Sequence, residues 1–215
     1  MKEKKISQPI NYKILLIGDS GVGKTSFFKK ITTGEFSNTI ASIGIDKRNL
    51  NVDIINDKKE KKSFDISLYD TAGQEKFRAV TKSYYRGSHC FLLIYNISDR
   101  HSFESVETWV NSINETLSNV TNSKCVIILI GNKSDLINNY TKEREVTVEE
   151  AKIVCEKFNL IWGGEISVKN IDLEELVKLF QSYVKQIYDI IGEIKEPKQA
   201  VKILKHRKRK SKKIC

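Results

Sequence analysis

The chain has 215 residues, 40% hydrophobic and 30% charged, which suits one ordinary domain with a tail, able to bury a sizeable core without covalent staples. Its four cysteines, Cys90, Cys125, Cys155 and Cys215, show neither C-x-x-C spacing nor a paired framework, and the N-terminus Met-Lys-Glu-Lys-Lys has no apolar segment behind it, a pattern that argues against the secretory route. No apolar run approaches the roughly 20 residues of a membrane span, so the sequence predicts an intracellular, initially soluble chain. The net charge of +10 is uneven: residues 195–215 hold ten of the 37 Lys/Arg but one of the 27 Asp/Glu, so the tail carries +9 and the other 194 residues +1.

Apolar runs alternate with helix-period segments, which predicts an α/β fold, a six-stranded mostly parallel sheet with helices on both faces. Strands are expected at 12–17, 45–55, 63–69, 90–96, 125–131 and 161–166, and helices at 24–33, 75–85, 102–118, 147–158 and 172–191. This divides the chain into an extension (1–11), one domain (12–192) and a basic tail (193–215). Residues 56–62 are too short for a crossover, so the second and third strands should form an antiparallel hairpin at the sheet edge.

Directly after the first strand comes Gly18-Asp19-Ser20-Gly21-Val22-Gly23-Lys24-Thr25, a match to G-x-x-x-x-G-K-[ST]. Glycines let such a loop curl around a triphosphate with its N–H groups inward, and the following helix adds its positive dipole end. Ser20, Gly21, Val22, Gly23 and Ser26 would supply this cradle, Lys24 would reach the β- and γ-phosphates, and the Thr25 hydroxyl would ligate Mg²⁺.

Later strands end in further polar motifs, where ligands of such sheets sit. After strand 63–69, Asp70-Thr71-Ala72-Gly73-Gln74-Glu75 offers a carboxylate for the Mg²⁺ in Asp70 and close approach to a γ-phosphate at Gly73. After strand 125–131, Asn132-Lys133-Ser134-Asp135 brings an acidic group, Asp135, that can accept two N–H donors from the edge of guanine but not of adenine. Leaving it unpaired in a buried site costs several kcal/mol, which selects the base. Ser167-Val168-Lys169, after strand 161–166, would face the base from the other side.

With these motifs in order the chain resembles a small GTPase of the Ras superfamily and, within it, the Rab family. The resemblance runs from about Tyr12 to Tyr188 and includes Ile43-Gly44-Ile45-Asp46, Lys76-Phe77-Arg78 after Glu75, Tyr84-Tyr85-Arg86-Gly87 and Ile94-Tyr95-Asn96-Ile97-Ser98. It implies a P-loop GTPase fold, GTP/GDP and Mg²⁺ as ligands, and slow GTP hydrolysis with Gln74 orienting the attacking water. Ser42 takes the place of the switch I threonine completing the Mg²⁺ shell, and Phe36 would lie against the guanine edge. An exchange factor, a GTPase-activating protein and effectors are the implied partners, with a role in vesicle traffic. The protein is expected to be a cytoplasmic monomer that cycles onto the cytosolic face of an intracellular membrane, held by a prenyl group on Cys215 and the basic tail, with no nucleic-acid partner.

The stretch Ser37-Asn38-Thr39-Ile40-Ala41-Ser42 is one residue shorter than the family's usual switch I, and Lys47, Tyr69 and Val168 stand where an aromatic, a Trp and an Ala are usual. The altered switch I motivates one rival reading, a switch that binds GTP but scarcely hydrolyses it, and the basic tail another, a protein acting through nucleic acid by Lys205-His206-Arg207-Lys208-Arg209-Lys210. Elsewhere, Trp109 has helical spacing with Phe103, Val106 and Val110 and is expected in the core, as are Cys90 and Cys125. His89, His101 and His206 share no metal-ligand spacing, and Gly163-Gly164 predicts a bend or bulge.

Overall fold

A computed structural model describes residues 9–36, 44–71, 78–118, 124–138 and 141–193. Six strands, β1 (Ile10–Ile17), β2 (Asp46–Ile55), β3 (Lys61–Asp70), β4 (Cys90–Asn96), β5 (Val126–Asn132) and β6 (Ile161–Ile166), form one sheet in the order β2-β3-β1-β4-β5-β6. Among the described residues only the β2–β3 pair is antiparallel, as the short connection requires; β2 matches its expected span to within one residue, whereas β3 runs longer at both ends and leaves 56–60 as the turn.

Each central strand is apolar on both faces because helices cover both. Ile14, Leu16, Leu92, Ile94, Ile128 and Ile130 point to a core shared with Phe27 and Phe28 of α1 (Lys24–Thr33) and Leu176, Phe180, Tyr183, Val184 and Ile187 of α6 (Leu173–Ile191). Their alternate neighbours Leu15, Ile17, Phe91, Leu93, Tyr95 and Leu129 meet Phe103, Val106, Trp109, Val110 and Ile113 of α3 (Arg100–Leu117) and Ala151 and Cys155 of α5 (Val148–Phe158). Two short helices complete the described fold, α2 (Arg78–Ser83) and α4 (Ser134–Asn138).

The helix starts follow capping chemistry. Asp172 Oδ1 accepts from the Glu175 N–H at 2.7 Å, Thr147 and Glu150 form a reciprocal capping box, and Asp99 caps α3, whose first residue, Arg100, is two ahead of the expected start. The first turn of the expected helix at 75–85 falls partly on residues 72–77, outside the described ones. At Gly163-Gly164 the β5–β6 register shifts between Leu129 and Gly131, as the paired glycines predict. Cys90 is fully buried, while Cys125 is only partly so; the three cysteines of the described residues are free.

Candidate functional site

The carboxyl end of β1 lies between β3 and β4, where the strand order reverses, and the crevice of such a sheet opens there. Residues 18–23 turn out of β1 at this point. Gly18 (φ 132°) and Gly23 (φ 107°) adopt backbone that side chains rarely tolerate, and a Cβ would collide with the Ile94 carbonyl and the Asn132 amide respectively. Glycine at both positions lets the loop lie flat against β4 and β5, with Ser20 and Gly21 exposed at its tip and Val22 buried.

Lys24, the first residue of α1, is 5% exposed, and its Nζ donates to the carbonyls of Gly18 at 2.9 Å and Asp19 at 2.6 Å. Burial lowers its pKa to about 8, against the pull of Asp70 and Asp19. An ammonium whose hydrogen bonds among the described residues go to neutral carbonyls, at the start of a helix that follows a glycine-rich loop, suits an anionic ligand.

Thr25 Oγ1 donates to Asp70 Oδ2 at 2.6 Å, joining α1 to the end of β3. The other carboxylate oxygen, Asp70 Oδ1, is buried without a hydrogen-bond partner among the described residues, and burial raises the carboxyl to about 6. A part-buried hydroxyl and an orphaned, buried carboxylate oxygen are the hard donors that Mg²⁺ takes, so these residues fit the ion. Thr71, which sequence reasoning passed over, fixes this corner: its Oγ1 donates to the Leu16 carbonyl at 2.7 Å and ties the ends of β3 and β1 together.

Asn132 is the hinge of the base side. Its Nδ2 donates to the Val22 carbonyl at 2.8 Å and its Oδ1 accepts from the Val168 N–H at 3.1 Å, so one buried amide spaces the phosphate loop against the loop after β6. Ser167 Oγ donates to Asp135 Oδ1 at 2.6 Å, leaving the second carboxylate oxygen of a residue only 5% exposed for another donor pair. Lys133 (φ 70°) is half-buried, and desolvation lowers its pKa. The Val168 side chain sits in the core beneath α1 and α6, so the extra methyls are taken up there. Phe36 also packs against that core, with the Lys30 ammonium 6.0 Å from its ring centroid.

The structure therefore brings Ser20–Ser26, Asp70, Asn132, Lys133, Asp135 and Ser167–Lys169 to one pole of the sheet. Ser42, Gly73, Gln74 and Cys215 lie outside the described residues. Two residues with direct ties to this pole were read only as packing or not singled out: Trp109 of α3, whose Nε1 donates to Asp19 Oδ1 at 2.8 Å, and Lys30 of α1.

Sequence comparison agrees with this geometry. The sequence model described as the Ras family matches residues 13–189. The chain is 39% identical over 153 residues to the Ras-related protein RabC of Dictyostelium discoideum, covering 71% of this chain and 72% of the relative. It is 38% identical over 182 residues to the Ras-related protein Rab-11A of the same organism (84% and 78% covered) and 37% over 187 residues to the Ras-related protein RABA5a of Arabidopsis thaliana (86% and 77%).

Proposed function

This chain belongs to the Rab branch of the Ras family, and from that premise we propose that it regulates intracellular vesicle traffic by binding effectors in one nucleotide state and releasing them in the other. It is a small GTPase, a GTP hydrolase that binds GTP, GDP and Mg²⁺. The observation that carries the assignment of its site is the junction at Asn132, which joins the phosphate loop to the loop after β6 within one hydrogen-bonded unit containing Asp135.

In this reading Lys24 and the N–H groups of 20–26 hold the phosphates, Thr25 and Asp70 hold the Mg²⁺ with Ser42 as a third oxygen, and the ion supplies charge neutralisation at the β- and γ-phosphates. Asp135 accepts from the guanine edge while Ser167 fixes its rotamer. Phe36 covers one side of the base. Gln74 orients the water, and Ser42 and Gly73 order the two segments around the γ-phosphate, so that hydrolysis times the life of an effector-binding surface. An exchange factor and a GTPase-activating protein set the rates of loading and loss. The basic tail and a lipid on Cys215 hold the domain to a membrane.

Asp135→Asn tests the site. It exchanges an acceptor for a donor opposite the purine 2-position, so preference should move from GTP to XTP by at least a hundredfold, consistent with the cost of an unpaired buried polar group. Equilibrium competition reads this directly, and ATP displacing GTP from the unmodified chain with equal affinity would contradict the base assignment.

A further inference from the structure

Lys30, on the last full turn of α1, is 7% exposed, yet its ammonium has no carboxylate partner among the described residues. Nζ instead donates to the Val168 carbonyl at 2.9 Å and the Lys169 carbonyl at 3.2 Å. Burying a cation on neutral carbonyls carries a desolvation cost that an unbranched apolar side chain of similar length would avoid. Packing alone therefore does not account for a lysine here.

The carbonyls it grips belong to the loop after β6, which is tied to the base side of the site by two hydrogen bonds and closed on itself by others. Ser167 Oγ donates to Asp135, the Val168 N–H to Asn132, and the Asn170 N–H to Ser167 Oγ at 3.1 Å. In a planar trans peptide the N–H points opposite to the C=O. Drawing the Val168 carbonyl toward α1 thus turns the Lys169 N–H to the other side of the loop, and that N–H has no acceptor among the described residues. On the edge that Asp135 would read, guanine offers N–H donors and a single acceptor, its 6-oxygen.

We propose that Lys30 is a positioning residue for base recognition: from α1 it fixes the Val168–Lys169 peptide so that its N–H meets the purine 6-oxygen, and so sets nucleotide residence time without touching the nucleotide. The inference rests on the base-binding role of Asp135 and Ser167–Lys169 proposed above. It also gives α1 two ends with linked tasks, since Lys24 at its start serves the phosphates and Lys30, six residues on, serves the base.

Dissociation of GDP and of 6-thio-GDP, whose sulfur is a poor acceptor, is measured from the full-length chain and from Lys30→Met, Lys30→Arg and Asp135→Asn. In the unmodified chain the sulfur should speed release. Lys30→Met should release GDP about tenfold faster, as expected for loss of charge-assisted bonds, and the GDP-to-6-thio-GDP ratio should collapse toward one. Lys30→Arg, which keeps charge and donors, should recover most of both. Equal acceleration of the two nucleotides, with the ratio intact, would mean a merely structural role and overturns the proposal, as does an unchanged GDP rate. Should Lys30→Met fail to fold, Lys30→Gln carries the same two measurements. Asp135→Asn separates the failures: if it does not turn preference toward XDP, the base-site reading itself is wrong, whereas a normal Asp135→Asn with an unaltered Lys30 ratio sinks only the role of Lys30.

Discussion

Trp109 illustrates how a core residue acquires a second task. Its ring is 2% exposed among α3, β1 and β4 residues, while its one polar atom, Nε1–H, reaches Asp19 Oδ1 at 2.8 Å. Asp19 in turn gives its backbone carbonyl to Lys24 at 2.6 Å. The α3 helix thereby braces the phosphate loop from the side opposite α1. Trp109→Phe keeps an aromatic ring but deletes the donor and part of the volume, for an expected cost of about 1–3 kcal/mol in stability. Because the lost bond ends in the loop, GDP release should also quicken, by roughly three- to tenfold at about 1.4 kcal/mol per tenfold. Stopped-flow release of a fluorescent GDP checks this; lowered stability with an unaltered release rate would show that the bond is not transmitted to the ligand.

At the scale of elements, the junction between β1 and β4 depends on a histidine being neutral. The Lys13 N–H donates to His89 Nδ1 at 2.7 Å, and the His89 N–H returns to the Lys13 carbonyl at 2.9 Å, extending the β1–β4 pairing beyond Cys90. Burial, and then the Lys13 ammonium, lower the His89 pKa. The unfolded chain, with an ordinary histidine near pH 6.5, then takes up the proton first. Its contribution to stability is complete above that pH and is lost as pH falls through the lower folded-state value. Asn at this position keeps an acceptor but does not titrate, so the melting temperature of His89→Asn should fall less between pH 7.5 and 5.5 than that of the unmodified chain. Parallel curves would remove His89 from the pH response. The same contrast between local and distant chemistry explains what the sequence disclosed. Gly18–Thr25, Asp70, Asn132 and Asp135 were legible because each motif is contiguous and follows an apolar strand, so residue type and position together specify the task. The short helix α4, only 5 residues long, has too few turns to show a period. Lys30 and Trp109 bond across 138 and 90 residues of chain, contacts that packing creates and spacing along a helix cannot reveal.

The whole molecule has two poles. Tyr12 Oη donates to the Gly192 carbonyl at 2.7 Å, and Lys62 pairs with Glu193 at 3.0 Å, so α6 delivers the chain to the amino ends of β1 and β3. The phosphate loop leaves the carboxyl end of β1 at Gly18, six residues on, or about 20 Å at ~3.3 Å per residue. The described chain thus ends at Glu193, on the pole opposite the phosphate loop, so the +9 carried by residues 195–215 is expected to engage an anionic surface without altering the nucleotide site. Each Lys or Arg near an anionic leaflet contributes about 1 kcal/mol, and a single lipid chain is marginal alone, so the two signals should act together. The unlipidated chain should bind phosphatidylserine-containing vesicles but not neutral ones, releasing them as salt rises, and removal of 195–215 should abolish that binding while changing GDP release by less than twofold. In its own cells, Cys215→Ser should lose the added lipid mass and most of the membrane-bound fraction. A GDP rate that moves when 195–215 are removed would show that the poles are coupled, and an unchanged mass and membrane fraction in Cys215→Ser would leave the basic stretch alone to account for attachment.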